Sequence, residues 1–141
     1  MKAHATQLIA ITVAASLLAA AALAQNAKQP TVRNMPPSVI KTVPASGSTD
    51  VDPSLTELTF TFSKPMRDQS WSVCQSSDDT FPGSGEGKMH YQADRRTCVM
   101  PVKLQPGKTY VLWLNRGQYM NFRDTQGNSS VPYLLVFETK K

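Results

Sequence analysis

Beyond the N-terminal apolar run the side chains best suited to redox or metal chemistry are few: Cys74, Cys98, His90 and the methionines Met35, Met66, Met89, Met100 and Met120. Thioether sulfur is soft and suits Cu(I), while imidazole suits Cu(II). Met35, Met66, Met89 and His90 are therefore candidate copper ligands, although methionine is also a common gap-filler in irregular cores. Two distant cysteines and His90 fall short of the ligand count of a zinc site. The run Gly83-Ser84-Gly85-Glu86-Gly87-Lys88 has the flavour of a phosphate-binding loop. Its required first glycine would fall at Pro82, however, and Met89 replaces the Ser or Thr that should follow the lysine. Asp78, Asp79 and Asp68 lack the alternate spacing of a Ca²⁺ loop and read as solvated loop residues. Nucleophilic catalysis asks for a Ser or Cys beside a histidine oriented by an acid. Only His90 lies beyond the N-terminal apolar run, no Gly-x-Ser-x-Gly elbow occurs, and the neighbours of Cys74 do not mark an activated thiolate. The sequence reads as non-catalytic and implies no cofactor.

What remains is recognition chemistry. Within Asn115 to Arg123, Arg116, Tyr119 and Arg123 offer an aromatic and two cations to a partner, whereas Trp71 and Trp113 are expected as core anchors. The basic residues are scattered apart from Arg95-Arg96 and Lys140-Lys141. Nucleic-acid binders concentrate such charge on one face, so a nucleic-acid partner is not expected.

These side chains sit in a chain built for export. Lys2 precedes an apolar run, Leu8 to Ala22, which closes on Ala22-Leu23-Ala24, a small-x-small signal peptidase site. Residues 1–24 thus read as a cleaved signal peptide, with the mature chain starting at Gln25. No cysteine follows the run to take a lipid, so no stable membrane anchor is expected and the location is periplasmic or extracellular. Cleavage leaves 117 of 141 residues, with 14 basic against 10 acidic, net +4. That length suits one domain with one core. In an oxidising compartment Cys74 and Cys98 are a possible disulfide, worth ~3 kcal/mol on the chain-entropy model. Strand parity opposes it: with Cys98 inward alongside Met100 and Val102, and Val73 inward, Cys74 faces out. Both alternatives stand at this level.

Residues 25–37 are polar and proline-bearing and read as a flexible leader. The domain, 38–141, opens on a short strand at Val39–Val43 that Pro44 stops. Leu58, Phe60 and Phe62 alternate with Thr59, Thr61 and Ser63, the pattern of a strand buried on one face. Further strands are expected around Trp71 and over 89–92, 97–104, 109–115 and 131–139, with Gln75 to Lys88 an exposed loop. About seven antiparallel strands without helical periodicity predict an all-β sandwich.

The motifs then fall into a familiar order. Val43-Pro44-Ala45-Ser46-Gly47-Ser48-Thr49-Asp50-Val51-Asp52-Pro53, Phe60-Thr61-Phe62-Ser63-Lys64-Pro65-Met66, Leu104-Gln105-Pro106-Gly107-Lys108-Thr109-Tyr110, Asp124-Thr125-Gln126-Gly127-Asn128 and Phe137-Glu138-Thr139 together resemble the SbsA-type bacterial Ig-like domains of surface-layer proteins. The resemblance spans about 36–139 and departs over 67–96. It implies an immunoglobulin-like β-sandwich serving as a non-catalytic exported module, bound to a protein or cell-envelope partner, with no shared catalytic residues to carry over. The opening is also similar to that of periplasmic copper-resistance proteins of the C type, which implies the alternative copper function. Those proteins begin their mature chain with a ligand histidine where this one has Gln25.

Overall fold

The computed structural model describes residues 29–141; the expected signal peptide, 1–24, and the first leader residues lie outside the described residues. Asn34–Lys141 forms one compact unit. It contains eight strands: β1 (Val39–Val43), β2 (Glu57–Phe62), β3 (Val73–Gln75), β4 (Gly83–Ser84), β5 (His90–Tyr91), β6 (Thr97–Lys103), β7 (Thr109–Leu114) and β8 (Tyr133–Glu138). All the strand pairs are antiparallel. One sheet has the order β1-β2-β6-β4, with β5 also on β6, and the other is β3-β7-β8. The expected all-β sandwich is the fold observed.

The period-2 pattern explains the core. Leu58↔Met100 and Phe60↔Cys98 pair across β2 and β6, and their side chains, with Phe62 and Val102, line the inner face of the larger sheet. Tyr110↔Phe137 and Leu112↔Leu135 do the same from β7 and β8. Phe122, from the β7–β8 connection, is fully buried, with its ring 5.2 Å from that of Phe62. Each such aromatic contributes roughly 1.5–3 kcal/mol by leaving water.

Two differences from the sequence reading follow from main-chain bonding. The stretch expected as an exposed loop, 75–88, contains a short 3-10 turn (Asp78–Thr80) and β4, which pairs Gly83↔Lys103. Gly85 follows, so close to β6 that a Cβ there would stand 2.4 Å from the Val102 nitrogen; only glycine permits that approach. The Ser46–Val51 turn lies along β8: Gly47 N–H bonds the Val136 carbonyl and Val51 N–H that of Glu138. It closes an edge that would otherwise be open to pairing. In the other sheet the edge strand β1 slips register between Val39 and Lys41, leaving Ile40 exposed at a bulge.

Candidate binding surface

The connection from β7 to β8 begins with Asn115, fully buried at φ 62°, a left-handed conformation that asparagine tolerates. Its Nδ2 donates to the carbonyls of Phe122 and Ser130, both at 3.1 Å, and its Oδ1 accepts from Phe122 N–H at 2.9 Å. One side chain thereby closes both ends of the loop onto the core.

A second clamp joins two of the sequence motifs. Lys64 Nζ forms an ion pair with Asp124 Oδ2 and donates to the Met35 carbonyl at 2.6 Å. Asp124 has no exposed surface and accepts from Gln126 N–H, Asn128 N–H and Asn128 Nδ2. Burial opposes its ionisation, but the Lys64 ammonium and the Asn128 donors outweigh that and hold the carboxyl below its ordinary range. Met66 and Asp124 form an antiparallel bridge beside it.

Outside these clamps the loop presents its other side chains. Arg116 and Tyr119 exchange backbone hydrogen bonds at 3.0 and 2.9 Å across a tight turn in which Gly117 takes φ 57°. Tyr119 is 58% exposed. Arg123, half-buried, donates from Nε to the Met120 carbonyl at 3.0 Å. The loop thus brings Arg116 and Tyr119 together and places Arg123 further along the same segment. Beside them lies an open depression of about 370 Å³, lined by Val73, Cys74, Gln75, Phe81 and Tyr119.

Trp113 differs from its expected role. It is only half-buried, on the outer face of β7 opposite Leu112 and Leu114, with the Arg116 guanidinium 5.6 Å from its ring centroid. Its odd position relative to Tyr110, Leu112 and Leu114 is the sequence signal that marks it. Trp71 does pack against the core and lies 6.4 Å from the Tyr91 ring.

The other candidates occupy unlike surroundings. Met66 is enclosed in the core, Met89 packs against it, and Met35 and His90 stand exposed; His90 Nδ1 lies 3.1 Å from the Lys88 carbonyl. Among the described residues no group of three or more His, Cys, Asp or Glu could hold a metal. Cys74 and Cys98 are free and sit in different sheets. Cys98 faces the core, and burial, then the charge of Asp68, pushes its thiol up to about 12. Cys74 pairs with Trp113 and shares its outer side. Of the phosphate-loop glycines Gly83 pairs in β4 and Gly85 lies against β6, and Asp78 accepts from Gln75 Nε2 at 2.8 Å. No helix among the described residues is long and apolar enough to cross a membrane.

The profile of a family described as "Bacterial Ig-like domain" matches residues 33–139. Two solved structures are similar in fold. The S-layer protein rSbsC(31-844) is 19% identical, with 76% of this chain and 14% of that one covered and a TM-score of 0.47. Surface layer protein SbsC, domains 1-6, is 19% identical, with 77% and 14% covered and a TM-score of 0.49. The chain therefore spans about a seventh of either structure. No curated protein matches it.

Proposed function

The chain belongs to the bacterial Ig-like domain family, and from that premise we propose that it works as a non-catalytic exported module that binds a protein or cell-envelope partner through Arg116, Tyr119 and Arg123. The observation that carries this reading is the contrast within one loop. Asn115 and the Lys64–Asp124 pair lock its base into the core, while Tyr119 stays 58% exposed at its tip. A rigidly held aromatic loses little entropy on binding. Within the family, the order of the Phe62-Ser63-Lys64-Pro65-Met66 and Asp124-Thr125-Gln126-Gly127-Asn128 motifs supports the SbsA-type group. The N-terminal signal pattern supports a periplasmic or extracellular location. Fold alone does not assign a partner, so the test is direct. Isolated envelope should retain the exported protein, and the Arg116→Ala/Tyr119→Ala/Arg123→Ala variant should be lost from it by at least tenfold at an unchanged melting temperature. Equal retention of the two would dismiss this surface.

A further inference from the structure

Arginine and lysine are segregated along this domain. All five arginines of Asn34–Lys141, namely Arg67, Arg95, Arg96, Arg116 and Arg123, lie in the connections at one end of the sandwich, where β2 and β7 finish and β6 and β8 begin. Six of the seven lysines lie elsewhere, and the seventh, Lys64, is spent on buried Asp124. The connections are bonded into one surface. Met66 N–H reaches the Arg95 carbonyl and Arg67 N–H the Arg123 carbonyl, both at 2.8 Å, so Arg95, Arg67 and Arg123 occupy three adjacent backbones. None of the five arginines is taken by an ion pair among the described residues. The exposed carboxylates here are Asp68 and Asp94, and Asp94 is occupied by the Arg96 and Thr97 N–H groups and the Thr97 hydroxyl. Five arginines against two carboxylates leave this end at +3, whereas the rest of the unit, six lysines against seven carboxylates, is at −1.

The same end exposes isolated apolar side chains: Tyr119, Met35 (50%) and Val131 (52%). Val131 N–H bonds the Pro37 carbonyl and the Met35 carbonyl accepts from Lys64, which fixes both beside the arginines. A protein partner asks for a contiguous apolar centre ringed by polar groups. Here single apolar tips are interspersed with guanidinium groups. That mixture fits a phospholipid interface, where arginine forks pair with phosphate oxygens and lone aromatic or aliphatic side chains enter the headgroup boundary.

We infer that the arginine-bearing end docks the domain onto an anionic phospholipid surface, with Arg67, Arg95, Arg116 and Arg123 on lipid phosphates and Tyr119, Met35 and Val131 at the headgroup boundary. This rests on the envelope-binding reading above and names its chemistry. Attraction at a charged leaflet corresponds to about a fivefold gain in binding per arginine, and it is screened when salt approaches about 1 M.

The test is co-sedimentation of the exported protein with vesicles of phosphatidylglycerol mixed into phosphatidylcholine, against phosphatidylcholine alone. Binding is expected only to the mixed vesicles, lost at high salt and lost in Arg67→Gln/Arg95→Gln/Arg116→Gln/Arg123→Gln. It should be kept in Lys103→Gln/Lys108→Gln/Lys140→Gln/Lys141→Gln, which removes the same charge from the far end. Tyr119→Ser should weaken it several-fold without changing its salt dependence. Equal binding to both vesicles, or retention by the arginine variant, overturns the inference. So does capture by soluble polyphosphate without vesicle binding, which would indicate a soluble polyanion. Retention of the protein on lipid-free envelope protein, with no vesicle binding, would overturn this inference while leaving the proposed function standing.

Discussion

Two long irregular stretches of this domain, 115–132 and 67–96, are held in place by different means. The first is fastened by buried polar side chains: Asn115 closes its base and Asp124, paired with Lys64, pins its middle. The second is fastened by main chain, as β4 and β5 bond β6 and Gly85 presses against Val102. A stretch fixed from its inner side by a few side chains is free to vary on its outer side, and that is where Arg116, Tyr119 and Arg123 stand. A stretch that spends its backbone on pairing has its shape set by the strand it follows.

The most severe break should come from Asp124→Ala, which removes the counter-charge of the buried Lys64 ammonium. A loss of about 3–5 kcal/mol is expected in chemical denaturation, with partial recovery in Lys64→Met/Asp124→Ala. Asn115→Ala deletes three hydrogen bonds and leaves buried backbone groups without partners, for about 2–3 kcal/mol. Gly85→Ala probes the other stretch; its Cβ must displace the β6 backbone, and about 1–3 kcal/mol should be lost by the same measurement. If Gly85→Ala cost more than Asp124→Ala, the ranking of side-chain over main-chain fastening would be reversed.

Acid should act on both stretches, through Asp124 in the first and, in the second, through Asp94, whose carboxyl the Thr97 and Arg96 donors hold below its ordinary range. The folded-state pKa of Asp124 is depressed below its ordinary 3.8. Its contribution is therefore complete above that value and disappears as pH falls through the lower folded value. Melting temperature should hold near neutrality and drop below about pH 4, with a shallower acid limb in Asp124→Asn. The smallest effect concerns the thiols. Cys74 should react with a disulfide reagent in the native protein and Cys98 only on unfolding, giving two thiols per chain in denaturant. A count of zero would mean that the exported protein joins them.

Side-chain periodicity was legible in the sequence, whereas main-chain pairing and the partners of buried polar groups such as Asn115 and Asp124 were not. The alternation of Leu58, Phe60 and Phe62 and the parity of Tyr110, Leu112 and Leu114 located the core strands, because burial of one face leaves a period-2 trace. Parity likewise placed Cys98 inward, and Trp113 opposite its neighbours, although a tryptophan among apolar residues invited a core assignment. Asp124-Thr125-Gln126-Gly127-Asn128 was recognisable as a turn, but its link to Lys64 was not, since the sequence does not show which distant lysine follows a carboxylate inside. β4 left no trace: Gly83-Ser84 pairs through backbone alone and has loop composition. The clustering of Arg67, Arg95 and Arg123 was equally hidden, because it arises from hydrogen bonds between connections far apart in the chain.

In the proposed function the partner meets the tip of the 115–132 loop. A photo-activatable cross-linking residue placed at Tyr119, and separately at Lys103 on the far end, would test it in intact cells. Cross-linking to envelope material is expected from position 119 and none from 103. Cross-links from 103, or from neither, would contradict it.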